Sequence, residues 1–198
     1  MYGYTGKLLQ VDLDAGTTRE LALQPDLARA YIGGSGLAAR LYLDLFSAPP
    51  YPGPLDADNP LIVMTGPVAG HLLPGSSRFA ICARSPQTGL WGEASCGGFF
   101  APALKAAGFD GLIITGAASR PVYLLIGDGR AELHDASHLW GRDTYETDDA
   151  LKASHGRAAR TMSIGPAGEN LVRYAAVVHD KGHVAGRTGM GAVMGSKN

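Results

Sequence analysis

Val122-Tyr123-Leu124-Leu125-Ile126-Gly127-Asp128-Gly129-Arg130-Ala131-Glu132-Leu133-His134 reads as two short strands, Val122–Ile126 and Ala131–His134, joined by a tight turn. An Asp-Gly pair between two apolar-rich runs is a strong hairpin signal, because both residues accept the positive φ angles such turns need. A hairpin pairs its strands antiparallel and leaves no room for a crossover helix. The same pattern recurs at the N-terminus, where Lys7–Asp12 alternates, Asp14-Ala15-Gly16-Thr17 turns, and Thr18–Leu23 runs back. Further strands are expected at Leu61–Thr65, Arg78–Ala83, Leu112–Thr115, Ala159–Ile164 and Leu171–Val178. Helices are few. Pro25 precedes one over Asp26–Ile32, and Gly33-Gly34-Ser35-Gly36 interrupts before Leu37, Leu41 and Leu45 recur at helical spacing. Gly97–Gly108 forms another, and Asp143 with Glu146 offers a capping box for Thr144–Ser154. Ser47–Pro60, with five prolines, is an irregular connection. Many strands, few helices and hairpin connections give an α+β fold rather than alternating βαβ units.

Composition narrows the function classes. At 198 residues the chain is one domain long and can own a core without disulfides or metal. Lys and Arg number 17 against 18 Asp and Glu, without the basic excess that a nucleic-acid partner requires. Charged residues at 18% and hydrophobic residues at 45% exclude disorder as the main state. Cys82 and Cys96 form no CxxC pair and are too few to ligate an iron–sulfur cluster. The apolar runs are strand-sized, and the N-terminus lacks a signal-peptide pattern, so the expectation is a cytoplasmic protein without a membrane span. Glycine, at 28 residues, is in excess, which points to many turns or to backbone that approaches something closely.

Three glycine-rich constellations are candidates for chemistry. Gly34-Ser35-Gly36-Leu37-Ala38-Ala39 matches a dinucleotide fingerprint ending in alanine. That fingerprint needs a preceding strand, whereas Leu27–Ile32 reads as helix, and a glycine bend between packed helices is the competing reading. Ser95-Cys96-Gly97-Gly98-Phe99-Phe100 opens a helix with two glycines, where free amides form an anion site and Arg78 adds a charge-assisted contact. A packing glycine pair beside a surface arginine is its alternative. In Asp180–Asn198, Gly182, Gly186, Gly189, Gly191 and Gly195 interleave with His183, Arg187 and Lys197. Such a tail is tolerable only if a ligand or close backbone packing compensates, and the expectation is a phosphate or cofactor cradle that orders on binding. A fraying terminus is the competing reading. The six histidines lack a compact metal spacing, Cys96 is a nucleophile candidate without a partner, and Asp148 with Asp149 reads as a solvated helix face.

An internal echo runs through the chain. Thr65-Gly66-Pro67, Arg78-Phe79 and Gly97-Gly98 leading to Lys105 recur in order as Ile164-Gly165-Pro166, Arg173-Tyr174 and Gly189-Met190-Gly191 leading to Lys197. Duplication predicts two quasi-equivalent glycine-rich sites facing one ligand with two similar ends.

Six blocks carry a family resemblance: Met1-Tyr2-Gly3-Tyr4-Thr5-Gly6-Lys7, Thr65-Gly66-Pro67, Gly97-Gly98-Phe99-Phe100, Ala136-Ser137-His138-Leu139-Trp140-Gly141, Ile164–Leu171 and Gly191–Asn198. In this order they resemble, over essentially the whole chain, the N-terminal domain of the aldehyde ferredoxin oxidoreductase family. The resemblance implies a tungsten, less often molybdenum, enzyme that oxidises an aldehyde to a carboxylic acid and passes electrons through a [4Fe–4S] cluster to ferredoxin. It implies a saddle of two β-sheets on which two pterin dithiolenes lie, their phosphates bridged by magnesium. Arg78 then matches the arginine at one pterin, and Gly97, with Cys96 and Gly98 in the same loop, a glycine that approaches it through its amide. Ser95 replaces an asparagine that contacts the magnesium, and His183 stands where many members have arginine. Val184 occupies the place of an alanine whose carbonyl reaches the magnesium, while Gly186 and Arg187 keep the pattern. Since family members continue for several hundred residues, the expectation is an isolated cofactor-binding domain, 1–198, either a fragment or half of a split enzyme. Its implied partners are the remaining domains or a companion subunit carrying the cluster and the acid/base residues, with ferredoxin, an aldehyde and a homodimer beyond them. A non-catalytic assembly subunit and a dinucleotide-binding module are the alternatives.

Overall fold

The N-terminal hairpin forms where alternation places it: β1 (Lys7–Asp12) pairs antiparallel with β2 (Thr17–Ala22), from Lys7 opposite Ala22 to Asp12 opposite Thr17. The computed structural model describes residues 2–46 and 48–198. Met1, which opens the first matching block, and Ser47, which opens the proline-rich connection, lie outside the described residues. Two helices follow, α1 (Pro25–Tyr31) and α2 (Gly34–Leu45), then β3 (Leu61–Met64), β4 (Phe79–Arg84), β5 (Trp91–Cys96), α3 (Phe100–Ala106) and β6 (Gly111–Thr115). These strands form one six-stranded sheet in the order β2-β1-β6-β3-β4-β5, antiparallel throughout except for β1 beside β6.

The second half begins with the hairpin β7 (Val122–Gly127) and β8 (Arg130–Asp135), turned at Asp128 and Gly129, both at positive φ. Helix α4 (Thr144–His155) carries the expected capping box between Asp143 and Glu146. It is followed by β9 (Met162–Ser163), α5 (Pro166–Glu169), β10 (Val177–His179), β11 (His183–Ala185) and α6 (Met190–Gly195). Strands β9, β10 and β11 make a three-stranded sheet, and β7 with β8 stands as a two-stranded one. The α+β class holds, with three sheets where two were expected.

The six-stranded sheet is buried on both faces. Leu9, Val11, Leu61, Val63, Phe79 and Ile81 point to a core shared with Leu104 of α3, Val177 of β10 and Met190 and Val193 of α6. Leu8, Ile62, Met64, Ala80 and Cys82 point the other way, against Leu37, Ala38 and Tyr42 of α2. Double burial explains why β3 reads as an unbroken apolar run.

Sequence and structure part company at four places. Strand β5 escaped notice because its inward residues, Gly92, Ala94 and Cys96, are small and carry a weak apolar signal. Leu171–Val178 is not one strand: Leu171 has φ 56°, and Val172 and Ala175 donate into turns before β10 begins. The glycine tail forms β11 and α6 rather than a fraying terminus, and close backbone packing accounts for Gly191 and Gly195. A Cβ on Gly191 would strike the Ala175 and Ala176 backbone, and one on Gly195 would strike Gly168. The dinucleotide reading fails: Gly34–Gly36 is the first turn of α2, preceded by α1 rather than by a strand, and the Gly34 amide donates to the Thr65 carbonyl. No helix among the described residues is long and apolar enough to cross a membrane.

Candidate functional site

Arg78 immediately precedes β4, and Ser95 lies on the outward face of neighbouring β5, opposite Ala80. The Arg78 Nε donates to Ser95 Oγ at 3.0 Å, with a further guanidinium nitrogen 3.5 Å from the Ser95 carbonyl oxygen. Both side chains are exposed. Cys96 points the opposite way, into the core, and burial pushes its thiol up despite the Gly97 amide and Arg78. An activated nucleophile is therefore excluded, and Cys96 can serve a ligand only through its backbone. Beyond it the chain turns at Gly97, whose Cβ direction is open, and Gly98, which has φ 88°. A Cβ on Gly98 would meet the His179 and His183 rings, so only glycine fits this corner.

Two amides expected to be free at the start of α3 are occupied. Phe99 and Phe100 both donate to His179 Nε2, at 2.9 and 3.0 Å. His179 is fully buried on β10, with Phe79 and Phe100 edge-on to its ring. An Nε2 that accepts two N–H bonds carries no proton, so the proton sits on Nδ1 and is donated to the Thr161 carbonyl at 2.7 Å. Burial lowers the His179 pKa, outweighing the Thr161 carbonyl and Asp180, which act to raise it. Asp180 next to it accepts from the Thr161 amide and pairs with Lys152 and Arg160, each at 3.2 Å. Burial works to raise the Asp180 carboxyl, but the Thr161 amide and the Lys152 ammonium help hold it below the usual carboxylate range.

The tail meets this corner from the other side. His183, directly opposite His179 in the β10–β11 ladder, stacks on it with ring centroids 5.6 Å apart and an interplanar angle of 25°. Val184 faces outward and Ala185 inward, and Gly186 and Arg187 are exposed. Thr188 then ties the tail to the first sheet: its hydroxyl donates to the Glu93 carbonyl at 3.2 Å, and its carbonyl accepts from Ser85 at 2.8 Å. The structure thus joins Arg78 to Ser95, Gly98 to His183, and β11 to the flank of β5. Arg78 and Arg187 make no ion pair among the described residues.

The sequence reading overlooked His179. Its signal was there, because Ala175, Val177 and His179 share the inward phase of an alternating run. Asp148 is also reassigned, from solvated to buried: it pairs with Lys152 and accepts from Thr161 Oγ1 at 2.5 Å. Asp149 stays exposed beside Lys181. Away from this corner, an apolar groove of about 260 Å³ separates β7 from β9, lined among others by Val122, Leu124, Met162, Ile164 and Lys197. Lys197 is buried with its ammonium 2.9 Å from the Ala57 carbonyl oxygen and 3.1 Å from that of Gly116, and burial lowers its pKa to about 8.

The profile of the family described as aldehyde ferredoxin oxidoreductase, N-terminal domain, matches residues 8–198. Over its full length the chain is 44% identical to a tungsten-containing aldehyde ferredoxin oxidoreductase of Pyrococcus abyssi and 43% identical to that of Thermococcus kodakarensis, spanning 32% of each. It is 37% identical to an aliphatic sulfonate oxidoreductase, WOR-like subunit, of Pyrococcus furiosus, spanning 34% of it. Among solved structures, the active-site complex BamBC of benzoyl coenzyme A reductase, with bound 1,5-dienoyl-CoA, superposes with a TM-score of 0.94 at 38% identity. That match covers 99% of this chain and 30% of the other. The chain spans about a third of the relatives it matches, and it belongs to the aldehyde ferredoxin oxidoreductase family as an N-terminal domain.

Proposed function

We propose that this chain is the tungsten–pterin-binding domain of an oxidoreductase. The observation that carries the reading is the corner where Arg78, Ser95 and the Gly97–Gly98 turn meet the His183 side of the tail. A pterin phosphate needs a cation and backbone it can approach closely, and this corner offers an exposed guanidinium beside an open glycine. The relatives strengthen the reading by their differences. Their names speak of aldehydes, an aliphatic sulfonate and benzoyl coenzyme A, yet all keep this domain at 37–44% identity. What they share here is a cofactor platform rather than a substrate pocket.

In this reading Arg78 and Gly97 hold one pterin, and His183, Gly186 and Arg187 the other. Ser95 Oγ and the Val184 carbonyl would hold a magnesium ion. When bound, the cofactor would supply two-electron chemistry, the oxidation of an aldehyde with water to a carboxylic acid, two protons and two electrons that leave for the cluster. The chain's own residues bind, orient and neutralise the cofactor's anionic ends. The acid/base residues and a [4Fe–4S] cluster that feeds ferredoxin belong to the remaining domains or a companion subunit, within a cytoplasmic enzyme.

The strand order supports the saddle and the duplication. Replacing each first-half strand of β2-β1-β6-β3-β4-β5 by its echo gives β8-β7, a gap, then β9-β10-β11. The gap is the apolar groove, and Asn198, whose carbonyl accepts the Val122 amide at 3.0 Å, stands at its mouth. A strand continuing from Asn198 along β7 would complete a second six-stranded sheet, as β6 completes the first beside β1. The test of function is metal and pterin analysis of the full-length protein: co-purifying tungsten or molybdenum with pterin is expected, and absence of both from protein made with those metals supplied overturns the reading.

A further inference from the structure

We propose that His179 is the positioning residue that registers both ends of the cofactor site to one another. The proposal rests on the cofactor-binding reading and adds to it a residue that touches no ligand itself. One face of the argument is hydrogen bonding. His179 Nε2 accepts the Phe99 and Phe100 amides, which follow the Gly97–Gly98 turn without an intervening residue, so the direction of the turn is set by the imidazole. The other is packing. The same ring lies against His183, and a Cβ on Gly98 would touch both rings, so turn, His179 and His183 form one contact set. His179 belongs to the second half of the chain and the turn to the first.

The ring is itself over-determined. Nδ1 donates to the Thr161 carbonyl, which fixes the tautomer, and Phe79 and Phe100 fix the plane. Other charges near it are Asp180, whose Oδ2 lies 3.5 Å from Nε2, and the two cations that pair with it, Arg160 and Lys152, the second of which also pairs with Asp148. A neutral acceptor at Nε2 is required, because a protonated ring would present a third N–H to two donors. Outer residues that orient ligating groups typically change metal retention about 10- to 100-fold when lost.

The test uses the full-length protein with His179→Phe, which keeps the ring shape without the acceptor, and His179→Gln, whose Oε1 takes the place of Nε2. Expected are a tungsten and pterin content at least about 10-fold lower in His179→Phe and near wild type in His179→Gln. Should His179→Phe fail to fold, the Gln variant decides, and its loss of cofactor would overturn the proposal. Imidazole 15N shifts give a readout independent of cofactor: His179 Nε2 should resonate as an unprotonated acceptor between pH 6 and 8, and a protonated Nε2 would overturn the account. If Arg78→Ala loses cofactor while His179→Phe keeps it, the positioning role is wrong and the cofactor reading stands. If wild-type protein holds no pterin, both fall.

Discussion

The Lys105 ammonium lies 2.5 Å from the Asp110 carboxylate, and both side chains are almost wholly buried. Asp110 also accepts from the Thr5 amide, the Thr5 hydroxyl and the Gly6 amide, while Lys105 donates to the Gly3 carbonyl. One carboxylate thus pins the N-terminal Gly3–Gly6 segment to the α3–β6 connection. Removing it leaves a buried ammonium uncompensated, and Asp110→Ala is expected to cost about 3–5 kcal/mol. Denaturant unfolding of the chain checks this, and a loss below about 1 kcal/mol would show the pair to be dispensable.

Neither cysteine should react in the folded protein. Cys82 is buried, and desolvation with the nearby Glu93 pushes its thiol up to about 12. Burial raises Cys96 as well. Alkylation by iodoacetamide at pH 8 should modify neither site until denaturant is added, and rapid labelling of Cys96 in native protein would mean that its strand is turned outward.

Stability should fall on acidification through His179. Its pKa in the fold lies below its ordinary value of 6.5, so below that pH the unfolded chain binds a proton that the folded one resists. The contribution is complete above pH 6.5, erodes as pH falls beneath it, and stops changing below the folded pKa. Unfolding measured from pH 8 to pH 4.5 should show this slope, reduced in His179→Gln. An identical slope in that variant would assign it to other groups.

The open edge of β7 gives a test of the second sheet. Val122 turns its amide towards Asn198, and the alternation of a strand puts the Leu124 and Ile126 amides on the same edge. These two should exchange rapidly in this chain and become protected in the full-length protein. Equal exchange in both forms would refute a strand beside β7.

Much of the fold was legible because local signals were strong. Asp128-Gly129 fixed a hairpin, Asp143 with Glu146 fixed a helix start, and the run Leu61–Met64 announced a strand buried on both faces. The site was legible only in part. Gly97–Gly98 and Arg78 stand out as residue types, but the partner of the Phe99 and Phe100 amides is 79 to 80 residues away, and no local pattern shows such a contact. The tail left two readings open for the opposite reason. Glycines that admit a ligand and glycines that admit another backbone look alike in sequence, and at Gly191 and Gly195 the neighbour is backbone.

The central claim is that the Arg78 corner holds an anionic pterin. Arg78 is exposed and among the described residues its one side-chain partner is Ser95, so Arg78→Ala should leave the fold intact. Its guanidinium would neutralise the anion with directed bonds that alanine cannot replace. The decisive measurement is the tungsten and pterin content of full-length Arg78→Ala beside wild type, with unfolding temperature recorded on the same samples. The account predicts unchanged unfolding of this domain with a cofactor content at least about 10-fold lower, a loss of about 1.4 kcal/mol or more in binding. Equal content in the two proteins would contradict it.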